Sequence, residues 1–435
     1  MKQQEKKEQA KQAQEFDFIK EKIKDKPVNK RRLLARAGWN LLGAVVFGVV
    51  ACFVFVLLKP YFEEWMYPEK ESTISIPKDD VPEEEAPEEP AETPTPVPEE
   101  PEAEPVVVEA ELEIEDYQEL QNKLYEIGKQ ANKSIVTVTG VTSGMDWFNT
   151  PYENENTAAG IVIANNGQEL LILTEKKVIK DAQAISITFI DEAVVSASLK
   201  KYDGNTGIAI ISVPLTEIPK ETMEHLAVAS LGNSYMVQQG TTVLAIGSPL
   251  GANYSILCGT ITSYQNEVST IDKNFTIFTT DIVGSANGSG VLINLKGEII
   301  GLVLQSYSSQ SDRNTITALS ISELKQIIED LSNNRDVPYV GLRLSTVTDD
   351  IAKEYSIPKG VYIKSVEMDS PAMAAGLQEA DVIVKLNGEE VATVEQYNQK
   401  IYALNPEDTV TVAVKRQNGE EYTELECAVV VGVLK

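Results

Sequence analysis

Residues 281–302 read DIVGSANGSGVLINLKGEIIGL. The segment opens on a tight glycine-rich turn and passes into two short apolar runs separated by Lys296-Gly297, the pattern of a turn feeding a β-hairpin. A turn of small residues brings backbone N–H groups close to whatever sits in front of it, as a nucleophile and its oxyanion hole require. The stretch therefore poses one question for the rest of the chain: is the hydroxyl, and the base that would activate it, still present?

Short β-rich runs surround this stretch: 134–141, 159–164, 170–174, 185–189, 194–199, 208–213, 242–246, 259–263, 275–279, 291–294 and 299–304. Turn residues punctuate them at regular intervals, which predicts an all-β barrel or sandwich. A lead-in helix is expected over 115–130 from the spacing of Leu120, Leu124 and Ile127, and an amphipathic helix over 321–332 closes the unit. From about residue 335 a smaller α+β module follows, with a strand over 360–366, a helix over 394–404 and a strand over 409–415.

Upstream the chain changes character twice. Residues 1–36 are rich in Lys and Arg, and 37–58 (AGWNLLGAVVFGVVACFVFVLL) carry no charge. About 20 apolar residues span a hydrocarbon core, and the basic flank predicts a cytoplasmic N-terminus with the rest of the chain across the membrane. A cleaved signal peptide is the competing reading, but 57–60 (LLKP) offer no small-residue cleavage site. Residues 59–110 include PEEEAPEEPAETPTPVPEEPEAEP; dense Pro and Glu predict an extended, disordered spacer.

The 435 residues carry a formal net charge of −28, which argues against nucleic acid as a partner. The three cysteines, Cys52, Cys258 and Cys427, are far apart, so neither a disulfide framework nor a metal site is expected, and no cofactor is implied. The single histidine, His225, limits every mechanism that needs imidazole. It lies well away from the 281–302 turn in sequence and reads as a loop residue. Asp203 and Asp281 read as turn or strand-end carboxylates.

Four segments in order resemble the HtrA (DegP-like) family. AAGIVIANNGQELLILTEKKVI (158–179) is similar to the family's stretch around its histidine, and DGNTGIAIISV (203–213) to that around its aspartate. SLGNSYMVQQGTTVLAIGSPLGANYSILCGTITS (230–263) follows the family's central stretch, and 281–302 lies over its nucleophile motif. The resemblance covers roughly residues 131–435. It implies a mainly β chain: a trypsin-like double β-barrel at 111–334 followed by a PDZ domain at 335–435.

The departures fall on the catalytic positions. Lys177 stands at the histidine position, Gly207 at the aspartate position and Gly288 at the serine position. The expectation is a membrane-anchored pseudoprotease that binds peptide C-termini or unfolded segments. One alternative is an active serine endopeptidase using a shifted nucleophile, Ser289, with Lys177 as base. The other is a structural surface protein with a vestigial groove. The resemblance further implies that Tyr339, Val340, Gly341 and Leu342 form a carboxylate-binding loop, with Leu344 on the adjoining strand and Tyr397 and Ile401 on the opposite helix. It also implies a homo-oligomer, a trimer, although 131–155 show no apolar patch beyond Trp147-Phe148.

Overall fold

The computed structural model describes Trp39, Val54 and residues 73–80, 113–145, 151–308, 314–419 and 421–434. The expected membrane span at 37–58 and Trp147-Phe148 otherwise lie outside these residues. Among the described residues no helix is long and apolar enough to cross a membrane.

Helix α1 (Ile114–Ala131) leads into a first closed barrel. Its strands are β1 (Ile135–Met145), β2 (Pro151–Asn165), β3 (Glu169–Glu175), β4 (Ala184–Thr188), β5 (Val194–Tyr202) and β6 (Ile208–Pro214), closed in the order β1-β2-β3-β6-β5-β4. A second closed barrel holds β7 (Thr242–Ser248), β8 (Ser255–Ser269), β9 (Asn274–Val283), β10 (Ser289–Ile293), β11 (Ile299–Leu304) and β12 (Thr315–Ser320), in the order β10-β11-β12-β9-β8-β7. Short helices α2 (Lys176–Ile179) and α3 (Lys220–His225) connect strands, and α4 (Ile321–Ser332) follows the second barrel.

Each barrel has its own core, around Val136, Ile172 and Ile211 in the first and Val243, Phe278 and Leu292 in the second. A third cluster lies between them, where Ile161, Leu173, Leu244, Ile293 and Leu302 meet the apolar face of α4. Strand β3 is buried on both faces for this reason and reads as a continuous apolar run rather than an alternating one. The β10–β11 turn is fixed by Asn294, whose Oδ1 accepts the N–H groups of Lys296 and Glu298.

The C-terminal module is a sheet of β14 (Leu342–Thr346), β15 (Val361–Val366), β16 (Val382–Leu386), β18 (Thr409–Asn418) and β19 (Glu421–Val430). The short β17 (Glu389–Glu390) pairs with β16, and β13 (Pro338–Tyr339) pairs with β20 (Gly432–Val433). Helices α5 (Asp349–Tyr355), α6 (Pro371–Ala374) and α7 (Val394–Tyr402) pack around it.

Three expectations change. Strand β12 was not predicted: TITALS has small polar residues and runs straight into α4 with no turn residue to mark it. On α1 the buried positions are Leu124 and Gly128, whereas Leu120 is exposed. Residues 73–80, inside the expected spacer, lie against α4 instead. Asn333 accepts the Ile74 N–H at 2.8 Å and donates to the Ile74 carbonyl at 2.7 Å, and Glu329 accepts the Ile76 N–H. The Lys325 ammonium pairs with Asp79 at 2.8 Å, with side chains only 4% and 14% exposed. Alternation of Ile74 and Ile76 with polar residues lets a short extended segment pack one face, which the Pro/Glu-rich average of the region conceals.

Candidate functional site

Of the three positions that the resemblance assigns to a triad, 177 and 207 lie on adjoining segments and 288 lies in the turn before β10. Strand β3 delivers the chain into α2, whose first residue, Lys176, donates its N–H to the Gly207 carbonyl at 2.8 Å, so the 177 and 207 positions sit on adjoining segments. Lys177 extends into solvent and pairs with Glu175 at 2.7 Å. Burial raises the Glu175 carboxyl above its ordinary range, opposed by the Lys177 ammonium. Gly207 has φ of +76° and donates its N–H to the Asp203 carbonyl. The Asp203 carboxylate is buried and consumed within its own loop, accepting from the Asn205 N–H, the Thr206 N–H and the Thr206 hydroxyl. His225 ends α3, exposed, and Asp281 is exposed and accepts from the N–H and hydroxyl of Thr260.

At residue 288, where the resemblance places a nucleophile, the turn is closed on itself. The Gly288 N–H donates to the Ser285 carbonyl at 2.7 Å, and the Ser285 N–H donates to the Pro249 carbonyl at 2.9 Å. Gln305 clamps the same carbonyl from the side: its Nε2 donates to Ser285 O at 3.1 Å and its Oε1 accepts the Thr317 N–H. The amide that would serve an oxyanion is thus already bonded within the chain. A Cβ on residue 288 would lie 2.6 Å from Pro249 O and 2.9 Å from Ser285 O, so this backbone admits no side chain there. Ser289, the shifted candidate, is buried at the start of β10, and its Oγ accepts the Ala159 N–H at 2.9 Å. Its hydroxyl ties β2 of one barrel to β10 of the other. Sequence reasoning missed Gln305, whose role lies wholly in long-range bonds to backbone.

Four of the residues predicted in the C-terminal module, Val340, Gly341, Leu342 and Tyr397, meet a carboxylate that belongs to this chain. The N–H groups of Val340, Gly341 and Leu342 donate to the side chain of Asp272 at 2.7, 2.8 and 2.9 Å. Tyr397 Oη donates to the same group at 3.4 Å. Asp272 sits at the tip of the β8–β9 hairpin, and burial pushes its carboxyl up to about 6, against the pull of the three N–H groups and Tyr397. A Cβ on Gly341 would come 2.3 Å from Ser370 Cβ, so the loop requires glycine. The side chains of Leu342, Leu344 and Ile401 lie in the module's core, and Tyr339 is half-buried. Asp272 carried no signal in the sequence beyond being a polar residue between two strands.

Residues 338–427 match the PDZ domain family, and 158–302 match the trypsin-like peptidase domain family. A DegP-like protein of Hahella chejuensis, named a probable periplasmic serine endoprotease, is 27% identical over 291 residues, covering 65% of this chain and 58% of that one. The serine protease Do-like HtrA of Bacillus subtilis is 26% identical over 315 residues, covering 68% and 67%. Among solved structures, the HtrA-type protease AlgW with decapeptide superposes with a TM-score of 0.53 at 18% identity, covering 72% of this chain and 99% of that one.

The chain is HtrA-like. The match spans 58% of the length of the Hahella relative and 59% of that of a second Bacillus subtilis relative, the serine protease Do-like HtrB. This HtrA-like chain has the mainly β, trypsin-like double barrel and PDZ domain that the four motifs implied. The positions that the resemblance assigns to a triad hold Lys177 in α2, Gly207 in the β5–β6 turn and Gly288 in the turn before β10.

Proposed function

We propose that this HtrA-like chain is a membrane-anchored pseudoprotease that binds peptide C-termini or unfolded segments through its PDZ domain, outside the cytoplasm, with the double barrel as scaffold. The observation that carries this reading is the closed turn at Gly288. A serine hydroxyl is a weak nucleophile until a positioned base takes its proton, and here hydroxyl, base and orienting carboxylate are all replaced. With the Gly288 amide donating to Ser285, the electrostatic part of the machinery is also spent. The placement at a membrane rests on the uncharged run 37–58 and its basic flank.

The names of the relatives favour a second reading, an active endopeptidase built on Ser289 and Lys177. Against it stand the burial of Ser289, the engagement of its Oγ by the Ala159 N–H, and the pairing of Lys177 with Glu175. The full chain should neither hydrolyse unfolded casein nor react with a fluorophosphonate probe. Labelling that vanishes in a Ser289→Ala variant would overturn the pseudoprotease reading.

A further inference from the structure

We infer that Asp272 is an intramolecular ligand of the PDZ carboxylate-binding loop, so that a peptide C-terminus binds only by displacing the β8–β9 hairpin. The inference rests on the reading of the PDZ domain as a peptide-binding module. It goes further by naming what already occupies the site.

The hairpin reproduces both halves of C-terminal peptide recognition. A terminal carboxylate needs converging N–H donors, and Asp272 takes those of Val340, Gly341 and Leu342. An added strand needs main-chain bonds along a free sheet edge. Strand β14 is the edge of its sheet, and the hairpin bonds to alternate carbonyls along it: the Asp272 N–H donates to Leu342 O, and Ser269 Oγ to Leu344 O at 3.4 Å. Arg343 closes the contact from the other side, donating to Ser269 O at 3.0 Å and to Glu367 at 2.9 Å. The N–H groups of 340–342 and the edge carbonyls of Leu342 and Leu344 are therefore engaged in cis.

The hairpin is aimed by the protease-like domain. Its tip is closed by Thr270, whose N–H and Oγ1 both donate to the Lys273 carbonyl. Asp272 adopts φ of +58°, a left-handed conformation that Asp tolerates in tight turns. Asn205 grips the tip, donating to Ile271 O at 2.7 Å and accepting the Ile271 N–H at 3.1 Å; Tyr307 Oη in turn donates to Asn205 O at 3.3 Å. Asn205 lies two residues before Gly207, in the loop that would carry a catalytic aspartate. That loop here positions the latch.

A site occupied in cis lowers apparent affinity by the fraction of time it is free. The test uses the full chain, its Asp272→Ala variant and its Asn205→Ala variant, which keeps the carboxylate but loosens its support. The probe is a pool of fluorescein-labelled heptapeptides, randomised upstream and ending in a free Val, Leu or Phe carboxylate, with the amidated pool as control. Asp272→Ala should bind the free-acid pool at least about 10-fold tighter than wild type, Asn205→Ala by a smaller factor, and neither should bind the amidated pool. Amide exchange at 340–342 should accelerate in Asp272→Ala. Equal affinity of wild type and Asp272→Ala overturns the latch while leaving the peptide-binding reading intact. Binding by none of the three overturns both.

Discussion

Placing a side chain back at residue 288 is the sharpest perturbation of the closed turn. In Gly288→Ala the new Cβ would meet two carbonyl oxygens, Pro249 O at 2.6 Å and Ser285 O at 2.9 Å. Neither can retreat freely: Pro249 O holds the Ser285 N–H, and Ser285 O holds both the Gly288 N–H and Gln305. Opening the turn enough to relieve the clash costs about 1–3 kcal/mol, as other overpacked sites do. Losing the Gly288–Ser285 bond adds roughly 0.5–1.5 kcal/mol. The sum, about 1.5–4.5 kcal/mol, should lower the melting temperature by about 3–18 °C for a domain of this size. Asn287→Ala, at the exposed neighbouring position, should stay within about 0.5 kcal/mol. Calorimetry of the two variants decides. A Gly288→Ala protein as stable as wild type would refute the claim that the turn excludes a nucleophile. The same geometry predicts that combining Lys177→His, Gly207→Asp and Gly288→Ser does not restore fluorophosphonate labelling. An aspartate at 207 must also adopt φ near the +76° of Gly207, a strain of about 1–3 kcal/mol.

Three further outcomes are expected. Ser289→Ala orphans the buried Ala159 N–H and should cost about 1–3 kcal/mol in urea denaturation, with casein hydrolysis at background before and after. Asp79→Ala leaves the Lys325 ammonium buried without its partner and should destabilise by about 3–5 kcal/mol, detaching residues 73–80 from α4, which proteolysis of that segment would report. Because burial lifts Asp272 from an ordinary 3.8 to about 6, the folded chain holds this proton more tightly than the unfolded one, so its contribution is greatest at low pH and falls as pH rises through that window. Asp272→Ala should remove that slope. Since the hairpin-open state should titrate near the ordinary value, the wild type should bind the free-acid peptide pool more weakly at pH 5 than at pH 7.

Much of this architecture was legible because it is written in short-range pattern. The alternation and turn residues of 134–304 announce β-structure, and α4 is announced by its 3.6-residue apolar spacing. The four motifs then ordered those strands into two barrels. What stayed hidden depends on single polar side chains bonding to backbone far away in sequence. Ser289 meets Ala159 across 130 residues, and Asp272 meets Gly341 across 69. Neither contact has a period or a local composition. The resemblance implies that Tyr397 and Ile401, one helical turn apart, both face the groove. Only the Tyr397 hydroxyl reaches the carboxylate site, whereas Ile401 fills the core.

On the pseudoprotease reading proposed above, residues 203–207, 288 and 289 form one coherent arrangement. At residue 288, glycine permits an N–H···O=C closure that any side chain would forbid. At 289, serine spends its hydroxyl joining the two barrels. In the 203–207 loop, Asp203 folds its carboxylate inward onto Asn205 and Thr206, which leaves the Asn205 side chain free to seize the β8–β9 hairpin. The hairpin presents Asp272 to the PDZ loop, and Tyr307 braces the loop that holds it. A peptide that pulls Asp272 out of its nest therefore strains the Ile271–Asn205 bonds, and through them the loop that carries Gly207. On the pseudoprotease reading proposed above, Gly207 has no side chain to move, so what peptide binding alters is the exposure of the hairpin itself.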